Sequence, residues 1–388
     1  MMRISARMAK IKPLFFAGLE TKIAQIKAEG RDVIRLDVGS PDLPPAEFII
    51  DALNESARLP ESHGYQSHKG PLALREAWGE MYERVYQVDL NPETEILPLL
   101  GSKEGIFHLV QAYVQPGDVV LVPDPCYITY DRGTIFAGGD LVTLPLTAES
   151  NYLPVFETLS PEILRRAKVL WLNYPNNPTT AVASRAFFEE AVAFAHRNNL
   201  LLCHDAAYTQ VTFDVENAPS ILEIRGAKEI AVEFNSLSKS HNMAGWRSGA
   251  LVGNPEVVRE LYRLKANVDS GHFLPVIVAS IEALTGDQGW IRARNEIYRQ
   301  RRDVVLNYLH EMGLAADRPR ATIYVWSPIP EGWNCADFVR SALEETGVSM
   351  TPGTVFGLNG EGYVRISLTV SSGRLRTAME RLKGWIQK

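Results

Sequence analysis

Continuous apolar runs alternate with amphipathic stretches through the middle of the chain, and this pattern predicts strands and helices in turn. The runs EILPLL, VVLVP, KVLWLN and LLLCH carry apolar side chains at consecutive positions. Strands of that kind are buried on both faces of a parallel or mixed sheet. Helices are predicted between them, for example at residues 106–114 and 184–198, where apolar residues recur on one face. The pattern therefore predicts an α/β fold with a mostly parallel, mixed sheet between helices.

The two ends of the chain show a different pattern. Residues 19–29 read as an amphipathic helix, and VIRLDVG after them as a short strand. Beyond the alternating block, a helical region over residues 275–312 leads into further strands and helices, including ATIYVWSP and YVRISLTV. We therefore predict a large domain of residues 41–280 and a smaller α+β domain built from residues 1–40 and 281–388.

Composition and charge exclude several classes of function. The chain has 388 residues and a net charge of −6, which argues against a general nucleic-acid binder, since such proteins usually carry a basic stripe. No apolar run approaches the roughly 18 residues that span a bilayer. The N-terminal stretch lacks the apolar core and cleavage site of a secretory signal. We expect a cytoplasmic protein with neither a nucleic-acid nor a membrane partner.

The cysteines and histidines do not predict a metal site. Cys126, Cys203 and Cys335 are widely spaced and form no CxxC pair, so neither a disulfide framework nor a zinc site is indicated. We interpret them as reduced, buried thiols. His63 and His68 flank one loop but lack a third ligand.

Lys239 lies between two predicted strands, in the segment FNSLSKSHNMAGWRSG. Ser236 and Ser238 precede it, and Arg247 follows it. Hydroxyls and the planar donor fork of an arginine suit a bound phosphate. A lysine beside a phosphate site suggests a Schiff base with a phosphorylated aldehyde cofactor. A surface lysine in a polar loop is the alternative that this segment alone leaves open.

Other loops at the carboxyl edge of the predicted sheet add the polar groups that such a cofactor needs. Ser102 and Lys103 stand where a helix begins, and backbone N–H groups there bind anions. Asp205 ends a strand, and a carboxylate at that point would keep a pyridine nitrogen protonated. Tyr208 and Asn177 are candidate hydrogen-bond donors to a ring hydroxyl.

Ordinary structural explanations stand beside these hypotheses. GSKEG alone is equally typical of a plain strand-to-helix turn, and Asp205 of a turn or capping aspartate. Tyr127 is a candidate to stack on the cofactor ring, although a core tyrosine is as common. Motifs of other enzyme classes are absent from the sequence, with no GxSxG, GxxxxGK[ST], HExxH or strand-following GxGxxG.

With these loops in this order, the chain resembles the class I/II aminotransferases of pyridoxal-phosphate fold type I over nearly its whole length. The strings that carry the resemblance are VGSPD, NNPTxA at Asn177, HDAAY at Asp205, SLSKxxxMxGWRxG at Lys239 and YVRIS at Arg365. The longer strings GSKEGIFHL, HDAAYTQVTFD and NVDSGHF are similar to the LL-diaminopimelate aminotransferase branch.

The resemblance implies a transaminase that uses pyridoxal 5'-phosphate and moves an amino group between an amino acid and a 2-oxo acid by a ping-pong mechanism. It implies LL-diaminopimelate and 2-oxoglutarate as substrates, in lysine biosynthesis, and a homodimer with active sites at the interface. The alternatives are an aspartate- or alanine-type aminotransferase, a pyridoxal-phosphate lyase for C–S bonds, and a regulatory module that only binds the cofactor.

The resemblance also implies a role for each cofactor-binding residue. Lys239 is the Schiff-base lysine and proton carrier, and Asp205 is the partner of the pyridine nitrogen. The ring hydroxyl is assigned to Asn177 and Tyr208, and the ring face to Tyr127. The implied phosphate contacts are Ser102, Lys103, Ser236, Ser238, Arg247 and, from across the dimer interface, Tyr65.

Substrate recognition is implied at the other end of the site. Arg365 resembles the arginine that binds the substrate α-carboxylate, with Gly39 and Asn177 beside it. Diaminopimelate also carries a distal ammonium, for which Glu104 is our candidate partner. The alternative for Glu104 is an acid placed in the first turn of a helix, where the helix dipole favours it.

Three positions depart from the family pattern. Thr180 stands where the family usually has glycine, so the loop there is expected to turn differently. Cys126 replaces a small residue before the stacking aromatic, and TPGTVFG lacks the commoner glycine before Phe356. None of these departures removes a catalytic group.

Overall fold

The computed structural model describes residues 4–11, 15–214 and 217–388. Within these ranges the strands are, in chain order, β1 (Ile34–Arg35), β2 (Ile96–Leu99), β3 (Val119–Asp124), β4 (Asp140–Pro145), β5 (Ala167–Asn173), β6 (Leu201–Asp205), β7 (Ala231–Ser236), β8 (Gly249–Gly253), β9 (Tyr324–Pro328), β10 (Val348–Ser349), β11 (Thr351–Pro352) and β12 (Tyr363–Ser367).

The helices of the same ranges are α1 (Ala6–Ala9), α2 (Phe15–Ala28), α3 (Glu47–Ala57), α4 (Leu72–Tyr86), α5 (Ser102–Tyr113), α6 (Thr129–Ala137), α7 (Pro161–Arg166), α8 (Arg185–Asn198), α9 (Ala227–Ile230), α10 (Leu237–Ser240), α11 (Pro255–Lys265), α12 (Leu274–Thr285), α13 (Gly289–Glu311), α14 (Cys335–Thr346) and α15 (Ser372–Ile386). None of them combines the length and the apolar content needed to cross a membrane.

In the described part of the chain, strands β2 to β8 form one seven-stranded sheet in the order β2-β8-β7-β6-β5-β3-β4. Neighbours from β4 across to β7 run parallel, while β8 runs antiparallel to both β7 and β2. The predicted α/β fold with a mostly parallel, mixed sheet is confirmed.

Both faces of this sheet are covered, as the apolar runs predict. Successive side chains of a strand point to opposite faces. In β5, Leu170 and Leu172 pack in one apolar cluster with residues of α4, α8 and α12. Val169 and Trp171 pack in a second cluster with residues of α5 and α11. The apolar side chains of β5 are therefore shared between two layers of helices, and the polar Asn173 comes at its carboxyl end.

The small sheets bring the two ends of the chain together. Strand β1 pairs in parallel with β10, with Ile34 opposite Val348. Strands β11, β12 and β9 form an antiparallel sheet. Leu19 and Ile23 of α2 pack in one cluster with Leu343 of α14. The two ends of the chain therefore share small sheets and an apolar cluster, while the assignment of the N-terminal segment to a smaller domain stays a prediction.

The exact domain boundaries stay predictions. The limit between 41–280 and 281–388 falls inside α12, whose Ile277, Ala279 and Ala283 all pack in the large-sheet cluster.

Local structure differs from the sequence prediction at several points. AKEIAVEFN begins as helix α9 before it becomes β7, and Lys239 lies in the short helix α10 rather than in a loop. The region 275–312 is two helices, because α12 ends before Gly286 and α13 begins at Gly289. Helix α6 was not predicted, since its polar and aromatic residues give no apolar periodicity.

Candidate active site

A cavity of about 550 Å³ opens at the carboxyl edge of the large sheet, against the small antiparallel sheet. Every predicted site residue except Tyr65 and Glu104 lines it. Phe16, Val38 and Tyr324 also line it, and they were not predicted. Within the described ranges, no group of three or more histidine, cysteine or acidic side chains is placed to hold a metal ion.

Helix α10 fixes the position of Lys239. Ser236 ends β7 and caps the helix, since its hydroxyl accepts a hydrogen bond from the Ser238 amide at 3.2 Å. The Lys239 carbonyl accepts a hydrogen bond from Nη1 of Arg294 at 2.6 Å. Its Nζ donates to the Gly39 carbonyl, in the segment that follows β1. Lys239 is thus held by contacts from α13 and from the segment that follows β1.

The surroundings of Lys239 favour its neutral form. Burial is the main cause that lowers the pKa of the amine, and the guanidinium groups of Arg365 and Arg247 lower that pKa further. No carboxylate of the described residues forms a salt bridge with this amine. A neutral amine is the form that can attack a carbonyl or accept a proton.

Asp205 lines the cavity, and one of its carboxylate oxygens has no hydrogen-bond partner in the described structure. It ends β6 and its Oδ2 accepts a hydrogen bond from the Tyr130 hydroxyl at 2.7 Å. Its Oδ1 is buried without a hydrogen-bond partner in the described structure. Burial raises the pKa of this carboxyl to about 6. A buried acceptor left open in this way fits a ligand that brings its own N–H.

Tyr130 belongs to α6 and was missed by the sequence analysis. Its ring stacks on Trp171 of β5 at a centroid distance of 4.8 Å, and both side chains are fully buried. This packing aims its hydroxyl at Asp205. Tyr127 precedes α6, lines the cavity and meets the Tyr130 ring edge-to-face at 5.8 Å.

Backbone and hydroxyl groups converge at one end of the cavity, where α5 and α10 begin. Gly101 has a φ of 79° and leads directly into α5 at Ser102. A side chain at Gly101 would collide with the guanidinium of Arg247, which itself has a φ of 59°. Amides at a helix start, together with the hydroxyls and Arg247, are typical of a phosphate site.

Arg365 lies at the opposite end of the cavity, on β12, and is fixed on every side. Its guanidinium carbon lies 4.1 Å from the ring centroid of Tyr324 and 4.7 Å from that of Phe356. Nη1 donates to Oδ1 of Asn177 at 2.8 Å, and Nη2 donates to the Asp37 carbonyl at 3.0 Å. Its Nε is buried and has no partner in the described structure.

Tyr208 follows β6 and shares a hydrogen bond with Tyr324, whose hydroxyl lies 3.0 Å away. Tyr324 was not predicted, although the strand pattern contains a signal for it. In the pairing of β9 with β12, Trp326 faces Arg365 and Tyr324 faces Ser367. Alternation therefore places Tyr324 on the same face as the predicted arginine.

Glu104 and Tyr65 lie outside the cavity lining. The Glu104 carboxylate accepts a hydrogen bond from Nζ of Lys265 at 2.8 Å, and Lys265 also binds Asp269 at 2.7 Å. Burial raises the pKa of Glu104, although Lys265 opposes this shift. Tyr65 is 94% exposed, so in this chain it is free to contact a neighbouring molecule.

The Thr180 loop keeps a backbone that glycine would adopt easily. Thr180 has a φ of 66°, and its amide donates to the Asn176 carbonyl at 3.0 Å. A left-handed conformation at a β-branched residue is rare, because the branched side chain crowds the backbone. The turn is therefore held by its surroundings rather than by residue preference.

The fold and the cavity are those of a fold type I transferase, and comparison with known proteins identifies the family. The family model "Aminotransferase class I and II" matches residues 31–382. The LL-diaminopimelate aminotransferase of Moorella thermoacetica is 46% identical over 98% of this chain and 98% of its own. That of Desulforudis audaxviator is 48% identical over 97% of this chain and 96% of its own.

Solved structures of aminotransferases share the fold of this chain. Substrate-bound BacF from Bacillus subtilis is 37% identical and has a TM-score of 0.96, covering 99% of this chain and 98% of that one. A single mutant of Thermus thermophilus aspartate aminotransferase is 30% identical with a TM-score of 0.92, covering 99% and 100%. The chain belongs to the class I and II aminotransferase family. It is an enzyme of the transaminase type, and this family uses pyridoxal 5'-phosphate.

Proposed function

We propose that this enzyme binds pyridoxal 5'-phosphate in the cavity and transfers an amino group from LL-diaminopimelate to 2-oxoglutarate, a step of lysine biosynthesis. The observation that carries the cofactor proposal is that Asp205, which lines the same cavity as Lys239, has a buried carboxylate oxygen without a hydrogen-bond partner in the described structure. The named relatives support the substrates, because two LL-diaminopimelate aminotransferases match nearly the whole chain at 46% and 48% identity.

The residues that line the cavity fit the ring of this cofactor and its phosphate. Oδ1 of Asp205 is an open, buried acceptor suited to a protonated pyridine nitrogen. We assign Tyr127 to cover the ring, and Asn177 and Tyr208 to bind its hydroxyl, because all three line the cavity. The groups proposed to hold the phosphate are Ser102, Lys103, Ser236, Ser238 and Arg247, which all line the same cavity.

When bound, pyridoxal phosphate supplies an aldehyde that condenses with amines and a ring that accepts electrons from the substrate Cα. With the cofactor bound, Nζ of Lys239 would take the proton from the substrate Cα and hold it for return. This role requires a neutral amine, and burial lowers its pKa in the required direction.

Arg365 orients the substrate for this proton transfer. A guanidinium binds a carboxylate through two parallel hydrogen bonds, and bonds to charged groups contribute on the order of 1.5–3 kcal/mol. The rings of Tyr324 and Phe356 restrict the guanidinium to one plane. The Cα–H bond is thereby aimed at Nζ of Lys239, with the amide of Gly39 beside the carboxylate.

We also propose a homodimer in which Tyr65 reaches the phosphate of the partner subunit. Three large apolar or aromatic side chains support this, because Tyr65 is 94%, Val268 60% and Phe273 47% exposed. The Phe273 ring lies 5.8 Å from the His63 ring, so the loops that carry these residues are neighbours.

A second candidate is an aminotransferase for amino acids without a distal ammonium. Among the described residues that line the cavity, Asp205 is the only acid, and it is assigned to the ring nitrogen. A distal ammonium therefore finds no further carboxylate in the lining of one subunit. This observation favours substrates with apolar or acidic side chains.

A half-reaction screen separates these candidates. The purified enzyme, loaded with pyridoxal phosphate, is mixed with single amino acids while the absorbance of the bound cofactor is recorded. LL-diaminopimelate is expected to change the absorbance fastest and to yield its 2-oxo acid. No response to it, with a response to alanine or aspartate, would establish the second candidate. Thiol released from a sulfur amino acid without an acceptor would indicate a lyase.

Glu104→Ala tests the distal-recognition hypothesis. If Glu104 meets the distal ammonium, this variant loses activity on LL-diaminopimelate at least tenfold more than on alanine. Lys265→Ala serves as the control, because it disturbs the same ion cluster without removing the acid. Equal losses on both substrates in Glu104→Ala would show that Glu104 serves only the fold.

A further inference from the structure

We propose that Tyr324 is a positioning residue with two separable roles, an inference that rests on the proposed cofactor. Its hydroxyl directs the proton of the Tyr208 hydroxyl into the cavity, towards the oxygen of the cofactor ring. Its aromatic face holds the guanidinium of Arg365 in the plane that receives the substrate carboxylate. One side chain thereby links the two ends of the site.

Three segments meet at the Tyr324 hydroxyl. Tyr324 is the first residue of β9, is 1% exposed and lines the cavity. Its hydroxyl lies 3.0 Å from that of Tyr208, and the two rings meet edge-to-face at 5.8 Å. A side chain at Gly39 would collide with the same hydroxyl. The segment after β1 therefore leaves space for it.

The charges around the pair indicate which hydroxyl donates. The guanidinium of Arg365 lies 4.1 Å from the ring centroid of Tyr324. Burial raises the pKa of Tyr324, but the positive charge of Arg365 is the first of the effects that oppose burial, and the pKa is lowered. Burial raises the pKa of Tyr208 well above its ordinary value. The more acidic phenol is the better donor, so Tyr324 donates to Tyr208 and the Tyr208 proton is left for an acceptor in the cavity.

The ring of Tyr324 acts on a different partner. Arg365 is held between this ring at 4.1 Å and Phe356 at 4.7 Å, while Asn177 and the Asp37 carbonyl fix its rotation. An arginine between two aromatic faces keeps its plane without losing its N–H donors. Removal of the hydroxyl leaves this support intact, whereas removal of the ring does not.

Tyr324→Phe and Tyr324→Leu separate the two roles. In Tyr324→Phe, the pH at which the absorbance of bound pyridoxal phosphate titrates is expected to rise by about 0.5 or more, because the ring oxygen loses an oriented donor. The KM for the amino acid and for 2-oxoglutarate should change by less than about threefold. In Tyr324→Leu, both KM values should rise about tenfold or more, because Arg365 loses its support.

A double variant tests whether Tyr324 acts through Tyr208. Tyr208→Phe combined with Tyr324→Phe should shift the titration no further than Tyr208→Phe alone, since both changes break one chain of hydrogen bonds. Tyr298→Phe is the matched control, because it also removes a buried phenol, one that bonds Asp42 at 3.3 Å outside the cavity. It should leave the titration unchanged.

Two outcomes would overturn the inference. One is a titration in Tyr324→Phe within 0.1 pH of the wild type, and the other is additive shifts in the double variant. Failure of the proposed function looks different, since a wild-type protein that binds no pyridoxal phosphate has no cofactor absorbance to titrate. The two proposals can therefore fail separately.

Discussion

Two ionic groups behind the cavity, Lys265 and Glu233, differ from the carboxylate of Asp205 in the cavity in how completely they are partnered. Lys265, 1% exposed, binds two carboxylates at 2.8 and 2.7 Å. Glu233, fully buried, accepts hydrogen bonds from Tyr82, His204 and Ser220 at 2.7, 2.8 and 2.9 Å and from the Ile221 amide at 3.1 Å. Lys265 and Glu233 are thus fully partnered, whereas Arg294, which is also buried behind the cavity, donates only to carbonyl and amide oxygens and leaves its Nε without a partner in the described structure.

Several polar groups that line the cavity lack a salt-bridge or hydrogen-bond partner in the described part of the chain. Within the described residues, Lys239 has no carboxylate at salt-bridge distance, and Oδ1 of Asp205 and Nε of Arg365 have no hydrogen-bond partner. A buried carboxylate oxygen without a partner costs stability, and a ligand that brings an N–H to Asp205 would supply the missing partner. Among the buried side-chain atoms of the described residues that lack a partner, Oδ1 of Asp205 is the one carboxylate oxygen, and this open acceptor marks the site.

Removal of the unpaired lysine should give the largest effect. Lys239→Ala is expected to lower the transamination rate by about 10⁴-fold or more, because it removes both the nucleophile and the proton carrier. The change in cofactor absorbance with any amino acid should disappear. Thermal unfolding should change little, because the amine has no carboxylate partner among the described residues and its hydrogen bond to the Gly39 carbonyl is the contact that is lost. A marked fall in stability would contradict the comparison.

Removal of the paired lysine should act on the fold instead. Lys265→Met leaves Glu104 and Asp269 without their cation and is expected to cost about 3–5 kcal/mol in the free energy of unfolding at pH 7. Urea denaturation measures this loss. Addition of Glu104→Gln and Asp269→Asn should restore most of it, because the stranded charges are gone. Equal losses in the single and triple variants would show that packing, not pairing, is responsible.

The unpaired acid predicts a pH dependence in the cofactor-free protein. Burial raises the pKa of Asp205 from 3.8 to about 6. Its contribution to stability is therefore full below pH 3.8 and is lost as pH rises through about 6, a total of about 3 kcal/mol. Asp205→Asn should gain stability over the wild type as pH rises from 5 to 7.5. Urea denaturation at both pH values checks this, and a constant difference would contradict it.

The smallest effect is expected where one of several partners is removed. Ser220→Ala takes one donor from Glu233 and a cap from the short 3-10 turn that follows. It should cost about 1 kcal/mol in the free energy of unfolding, since three donors remain. Transamination should be unchanged, and steady-state kinetics beside urea denaturation would detect any link to the cavity.

Much of the fold follows from local sequence. The consecutive apolar residues of β3, β5 and β6 identify buried strands, because only a sheet covered on both faces accommodates them. Helix α6 has no apolar period and depends on packing, such as that of Tyr130 on Trp171. Helix α10 is too short to have a period at all.

Some residues of the site could also be predicted from local sequence, and others could not. Asp205 and Lys239 were predicted because each follows a strand that is evident in the sequence. Tyr324 was missed because its role depends on the small sheet's contact with Tyr208, 116 residues away in the chain. The sequence could not indicate that Lys265 would bind Glu104, because the two residues are 161 positions apart.

The pairing of β1 with β10 has a consequence for synthesis on the ribosome. Ile34 pairs with Val348, about 300 residues further along the chain. At about 5–20 residues per second, β1 waits roughly 15 to 60 s for its partner strand. The large sheet, complete at Gly253, already carries Asp205 and Lys239. A nascent chain is thus expected to be ready for the cofactor before it can recognise a substrate.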